Sequence, residues 1–369
     1  MLERPWYVAF NYPLAAAAVG LSIYGLVAIK SATLHVADAH ADFGRQLAYL
    51  IVGVIAMLVL AFTDYHIWYR FAKPVYAITI IMLAAVAFVG HSALGAQRWI
   101  GVGPIVFQPS EPAKLLVTLS VAALLANPKR RYKKWWEIFI PIGAVAVPAL
   151  LVLKQPDLGT ALVLVAILTT MLFFALPRWW QFVAYVAAVG AAAAASPLFL
   201  HGYQRERLLV FLDPNHDPQG AGWSLIQSKI AVGSGELFGK GLYNGTQTQL
   251  GFVPEHTTDF IFTVIGEEFG FVGSVLLLGL YALLLFMGML AVNAARDRYG
   301  LIVAAGIVAM FAFHILVNVG MTIGIMPVTG IPLPFISYGG SSLVTCLASI
   351  GVLLNIHLQS TRMTLDLRG

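Results

Sequence analysis

Six ionisable residues stand inside or at the edge of strongly apolar runs: Glu111, Lys114, Asp259, Glu267, Glu268 and His314. Arg45, Arg98, Lys154 and Asp157 mark the ends of such runs. A charge at the centre of a bilayer costs about 2.5–3.5 kcal/mol on insertion scales, so a chain keeps one there where it has a partner or a task. Glu111 and Lys114 are three residues apart, just after Pro109 and beside Pro112, and can pair on one helix face. A neutralised structural pair and a functional pair are both open on that spacing. The preceding Gln97-Arg98-Trp99 and Gln108-Pro109-Ser110 are polar and rigid, which sets a basic pocket above the helix mouth. Asp259 follows Thr257 and Thr258 and precedes Phe260-Ile261-Phe262-Thr263-Val264. There it is either a helix N-cap, which spacing alone favours, or a carboxylate facing an external cavity as base or metal ligand. The adjacent Glu267 and Glu268 cannot both face lipid, and a structural salt bridge to an external cation is expected. His314 and Asn318, one turn apart, read as interhelical hydrogen bonding. Pro332, Pro334, Gly339 and Gly340 make 327–342 irregular, a re-entrant or lid element with Ser337, Ser341 and Ser342 as donors.

The elements that must position these residues are transmembrane helices. Apolar residues are 59% of the 369 and charged residues 11%, with a mean hydropathy of +0.83. A soluble domain carries about a quarter charged residues, so that class is excluded. Apolar runs of spanning length, roughly 17–25 residues, lie near 12–30, 46–63, 74–90, 110–126, 138–154, 158–176, 179–199, 259–292, 299–323 and 337–358. They lack the alternation of a transmembrane barrel. The expected fold is therefore all-α: one polytopic bundle over 1–369 with about ten crossings. A large extracytoplasmic loop, 200–259, is expected between the seventh and eighth crossings. In it, Trp223, Ile226 and Ile230 fall on one helical face, suited to the membrane interface. Gly266-x-x-x-Gly270 and Gly320-x-x-x-Gly324 read as sites of close helix approach.

Short basic connections fix the orientation. Arg70, Lys73, Lys129, Arg130, Arg131, Lys133, Lys134, Arg178, Arg296, Arg298, Arg362 and Arg368 fall on one side, read as cytoplasmic together with both termini. The net charge of +5 thus reports topology and not a nucleic-acid footprint. The single cysteine, Cys346, permits no internal disulfide. The first apolar run lacks a small-residue cleavage site and is expected to be retained.

Seven segments, taken together, resemble the SEDS family of bacterial cell-wall proteins. They are Gly95-Ala-Gln-Arg-Trp99, Gln108-Pro-Ser-Glu-Pro-Ala-Lys114, Lys154-Gln-Pro-Asp-Leu-Gly-Thr160, Tyr203-Gln-Arg-Glu-Arg207 with Phe211-Leu-Asp-Pro214, Pro254-Glu-His-Thr-Thr-Asp-Phe-Ile-Phe262, Gly266-Glu-Glu-Phe-Gly270 and Pro332-Leu-Pro-Phe-Ile-Ser-Tyr-Gly-Gly-Ser-Ser342. They follow the family order over most of the chain, and the short termini resemble its elongation member more than its division member. The resemblance implies a peptidoglycan glycosyltransferase that polymerises lipid II in the bacterial inner membrane, beside a class B penicillin-binding protein and other elongation proteins. The family's key carboxylate falls on Asp259, its arginine on Arg98 and its acid–lysine pair on Glu111 and Lys114. Many relatives place the histidine closer to the aspartate; here Thr257 and Thr258 intervene after His256.

Such a reaction asks for a base, a counter-charge for a departing pyrophosphate and grooves that leave lipid tails in the bilayer. Asp259 is the expected base, or the ligand of a divalent cation, Mg²⁺ or Mn²⁺. Arg45, Arg98, Lys114, Arg205 and Arg207 are expected to hold pyrophosphate, with Glu111, Asp157 and Ser337 as further substrate contacts. A lipid II flippase would need a similar site and is the alternative; a non-catalytic scaffold leaves the external cations unexplained.

Overall fold

The computed structural model describes residues 10–34, 39–89, 91–93, 96–102, 105–130, 132–199, 202–213, 217 and 220–366. Arg131, Arg368 and parts of the motifs at Gly95 and Pro214 lie outside the described residues. The chain opens with α1 (Tyr12–Ala32), α2 (Ala39–Phe62), α3 (His66–Arg70) and α4 (Ala72–Val89). Strands β1 (His91–Ala93), β2 (Ala96–Val102) and β3 (Ile105–Phe107) follow. Next come α5 (Ser110–Ala126), a 3₁₀ turn (Trp135–Ile138), α6 (Phe139–Lys154), α7 (Leu158–Ala175) and α8 (Trp179–Phe199). The remainder is α9 (Tyr203–Leu212), α10 (Ala221–Ser234), α11 (Thr246–Gln249), α12 (Ile261–Ala294), α13 (Arg298–Ile323) and α14 (Gly340–Asp366).

Eight of these helical segments are long and apolar enough to cross a membrane. Two of the ten expected crossings are shorter: α4, apolar over Ala72–Val86, and α5, which carries Glu111 and Lys114. The inner helices are α13 and α14, with 72% of their apolar windows buried against 11% in α8. Functional side chains on α13 are therefore enclosed by protein. Side-chain caps set several helix starts: Asn11 accepts from the Leu14 backbone N–H at 3.1 Å, and Asp297 from that of Gly300 at 2.9 Å. Backbone and side-chain bonds gather the basic connections at one end of the bundle. Arg298 donates to the Ala175 carbonyl at 2.5 Å, Gln181 to that of Tyr132 at 3.4 Å, and the Tyr65 N–H to Asn355 at 3.0 Å.

The opposite end departs from the sequence expectation in three places. The connection expected over 30–46 is largely helix, since α2 begins at Ala39 and puts Arg45 on a helix. The connection before Pro109 folds into a three-stranded antiparallel sheet in the order β1-β2-β3, with Ile100 opposite Phe107 and Val102 opposite Ile105. The span expected over 259–292 is broken at Gly270, whose φ of +64° no helix accommodates.

A loop fills that break. The N–H groups of Phe271 and Val272 donate to the carbonyls of Glu236 and Leu237 at 2.9 and 3.0 Å. In return, the N–H groups of Lys240 and Gly241 donate to the carbonyls of Glu267 and Glu268, both at 3.0 Å. Gly270 thus serves a helix break and not helix–helix contact. Gly324 likewise is the left-handed C-cap of α13, with φ +79°. Beyond the break, residues 271–294 extend about 36 Å, enough alone to cross a hydrocarbon core of about 30 Å. The half-helix before it carries the two glutamates. Glu267 pairs with Lys240 at 2.7 Å, the expected salt bridge, and also accepts from the N–H groups of Gln247 and Thr248. Glu268 accepts from Ser31 at 2.6 Å.

Candidate functional site

Asp259 sits in the turn that leads into α12. The cap position belongs to Phe260, and no side chain caps the helix. The carboxylate is thereby left for other work, and the cap reading does not hold. Three consecutive carbonyls of the turn are pinned from behind. The Tyr338 N–H donates to Thr257 O at 2.9 Å, Ser337 Oγ to Thr258 O at 2.6 Å, and Asn318 Nδ2 to Asp259 O at 2.8 Å. Asn318 donates also to Ile331 O at 2.8 Å, which ties the Pro- and Gly-rich segment to α13. The irregular backbone of 327–342 brings the Tyr338 N–H and the Ser337 hydroxyl to the turn, while Asn318 reaches it from α13. His256 adds a tether, its ring nitrogens lying 2.9 Å from Val253 O and 3.0 Å from Ala32 O.

The Asp259 side chain lines a cavity of about 670 Å³ at the end of the bundle away from the basic connections. Arg98, Glu111, Asp157 and Arg207 share that wall. Arg207 arrives from α9 and donates Nη1 to Val328 O at 3.1 Å. Gly330 lies between the two charges: a Cβ there would stand 3.2 Å from Asp259 Oδ2 and 3.4 Å from Arg207 Nη1, and its φ is +73°. Arg98 hangs from β2 and is moored by the carbonyls of Gln155, at 2.9 Å, and Pro156. Asp157 caps α7, accepting from the Thr160 N–H at 3.0 Å and its hydroxyl at 2.9 Å.

The other expected residues lie elsewhere. Lys114 is buried behind Glu111, 2.8 Å from its Oε1, and does not reach the cavity wall. Ser337 is buried, and its hydroxyl also accepts from the Leu333 N–H at 2.8 Å, which makes it a support of the turn. Arg45 is half exposed on α2 beside Asp42 at 3.3 Å. It stands one residue back from the wall, since Asp42 accepts from the hydroxyl of Tyr338, a wall residue, at 2.9 Å. Arg205 is exposed on α9. Sequence reading missed Thr160, Glu255 and Gly330 on the wall. The positive φ of Gly330 leaves no mark in a segment already rich in glycine.

Burial pushes the Asp259 carboxyl up from 3.8 to about 6. Arg207 and Arg98 oppose that rise, while Glu255 and Asp157 add to it. Burial also lowers the Arg207 guanidinium, with Asp259 opposing; it stays protonated at neutral pH. The wall therefore presents a base more basic than an ordinary carboxylate beside two fixed cations. Among the described residues no group of three or more His, Cys, Asp or Glu forms an all-protein metal cage. Mg²⁺ commonly binds through one or two carboxylates together with substrate phosphates, and Asp259 fits that donor set.

Fold and site define a polytopic membrane protein with a carboxylate–arginine cavity at one membrane surface. The chain belongs to the FtsW/RodA/SpoVE family, whose model, described as cell cycle protein, matches residues 12–362. Among curated relatives it is similar to the peptidoglycan glycosyltransferase MrdB of Escherichia coli K12, 41% identical over 85% of each chain. It is also similar to the peptidoglycan glycosyltransferase RodA of Treponema pallidum, 33% identical over 94% of this chain and 97% of that one. Among solved structures, a chain from a peptidoglycan synthase complex that coordinates polymerization and crosslinking superposes with a TM-score of 0.82, at 32% identity over 96% of this chain and 99% of that one. The rod shape determining protein RodA of Thermus thermophilus gives 0.71 at 30% identity, covering 96% and 98%.

Proposed function

We propose that this chain is a peptidoglycan glycosyltransferase that polymerises lipid II at the outer face of the bacterial cell membrane during elongation. The observation that carries the reading is a carboxylate, raised to about 6, on one wall with Arg98 and Arg207. The acceptor hydroxyl attacks the anomeric carbon of the donor, and Asp259 takes its proton, a role worth about 10²–10⁴-fold. The bond from that carbon to the pyrophosphate oxygen breaks, and the electron pair leaves with undecaprenyl pyrophosphate. Arg98 and Arg207 offset the charge that develops there. One displacement inverts the centre, turning an α-linked donor into a β-linked polymer. The alternative role of Asp259 is to hold, with the pyrophosphate, a divalent cation, Mg²⁺ or Mn²⁺, which would supply counter-charge to the leaving group.

The partner is a class B penicillin-binding protein, in keeping with the synthase complex to which the chain is similar. Other elongation proteins join them. The bundle is one domain of ten crossings with both termini cytoplasmic, and Arg45 and Arg205 stand where an arriving pyrophosphate first meets the protein. A lipid II flippase draws on one feature, the interrupted α12, since broken helices serve transporters; the charged cavity at one membrane surface favours polymerisation.

The deciding experiment reconstitutes the chain with lipid II, divalent cation and a transpeptidase-inactive partner, and resolves glycan products on gels. Wild type is expected to yield polymer and Asp259→Ala none, with the variant folded. Full activity in folded Asp259→Ala removes the assignment of Asp259. Translocation of lipid II without polymer installs the flippase.

A further inference from the structure

Behind the cavity wall lies a buried chain of polar groups that runs from α5 to α13. Glu111, Lys114 and His314 are 3%, 2% and 4% exposed. Lys114 Nζ donates to Glu111 Oε1 at 2.8 Å and lies 3.0 Å from His314 Nε2. The other ring nitrogen, Nδ1, is 2.7 Å from the Met310 carbonyl, which only accepts. Nδ1 therefore carries the proton, Nε2 is bare, and Lys114 donates to it. The ammonium is clamped between a carboxylate on its own helix and an imidazole on the next. That clamp explains why Lys114 does not reach the cavity as a phosphate ligand.

The residue of the pair that stands on the cavity wall is Glu111. Its second oxygen, Oε2, is buried with no hydrogen-bond partner among the described residues. A buried carboxylate oxygen left so costs free energy unless something donates to it. Phosphate has no proton to give at that point, whereas a sugar hydroxyl or an acetamido N–H does. We propose that Glu111 Oε2 accepts from a hydroxyl or amide N–H of the lipid-linked saccharide, and that His314, acting through Lys114, is the positioning residue that holds it there. Without the imidazole, Lys114 has one acceptor fewer to fix its four-carbon stem, and the carboxylate loses its set orientation. The inference rests on the polymerase reading for its substrate.

Binding and turnover separate the two. Binding of lipid II is measured on the full chain in nanodiscs in an Asp259→Asn background, and steady-state polymerisation on the chain with its partner. His314→Leu is expected to weaken binding about tenfold and to raise KM by about the same factor, with a smaller change in kcat. His314→Gln, whose carboxamide oxygen can accept from Lys114, recovers most of the loss. Because His314 acts through Glu111, His314→Leu adds no further loss in a Glu111→Gln background. Wild-type binding in His314→Leu, a fall in kcat at unchanged KM, or a second tenfold loss in the Glu111→Gln background each overturns the proposal. Should His314→Leu not fold alone, it is placed in a Lys114→Met/Glu111→Gln chain, where there is no buried charge left to support and the same absence of further loss is required. Lipid II binding that responds as stated, with no polymer from wild type, would remove the polymerase reading and leave the role of His314 standing.

Discussion

Asp259 combines a carboxyl raised well above its ordinary value with a place in a turn whose carbonyls are held from behind. Its perturbation has a sign that activity can report. The base must be ionised to accept a proton, so the polymerisation rate is expected to rise through about pH 6 and level off above it. Arg207 opposes the effect of burial, so Arg207→Met moves that limb upward, as initial rates across about pH 5–8 will show. The same carboxyl taxes the fold. A folded-state value raised above 3.8 means the native state holds its proton longer than the unfolded chain, so stability falls between about pH 4 and pH 6. Asp259→Asn is expected to raise Tm above pH 6 and leave it unchanged below about pH 4, with a gain of about 1–2 kcal/mol. Most of this was legible as residue types, because ionisable groups in apolar surroundings stand out. Which charge faces the cavity was not: the spacing that pairs Glu111 with Lys114 says nothing of His314, two hundred residues on, which draws the ammonium inward.

Composition, read as long apolar runs, located eight of the ten expected spans among the described residues, since such runs admit few other structures in lipid. It failed where backbone geometry and not composition decides. Gly270 follows Glu267-Glu268 in a run that is otherwise apolar on both sides, and only the loop carbonyls of Glu236 and Leu237 reveal that the helix stops there. The sheet before α5 was hidden because its strands are short and their pairing is set by turns. Two glycines test the elements they serve. At Gly270 a Cβ would collide with the Gly239 nitrogen at positive φ, so Gly270→Ala is expected to cost about 1–3 kcal/mol and lower Tm by several degrees. Gly279→Ala, in the same helix with open space around it, is the control and does not lower Tm. Gly330→Ala strains a positive φ and crowds Asp259 against Arg207, so polymerisation falls while the fold, read by thermal denaturation, persists.

At the scale of the whole molecule, the basic connections and the charged cavity occupy opposite ends of one bundle, and this polarity gives the protein its direction in the membrane. Positive connections are retained on the cytoplasmic side, and the orientation proposed on that rule has Asp259 and its cavity facing outward. The bundle supplies its own means of checking this. Cys346 is the sole cysteine and is buried, so Cys346→Ser provides a silent background. Lys129→Cys marks the basic end, and Leu250→Cys, at an exposed position next to Gln249, which donates to Glu268 at 3.3 Å, marks the cavity end. In right-side-out vesicles a membrane-impermeant maleimide is expected to label Leu250→Cys and spare Lys129→Cys, with the pattern reversed in inverted vesicles. Labelling of Lys129→Cys from outside would turn the bundle over. The arginines and the carboxylate would then face the compartment in which lipid-linked precursors are made, and the cavity would have to load a substrate for export instead of joining sugars already delivered.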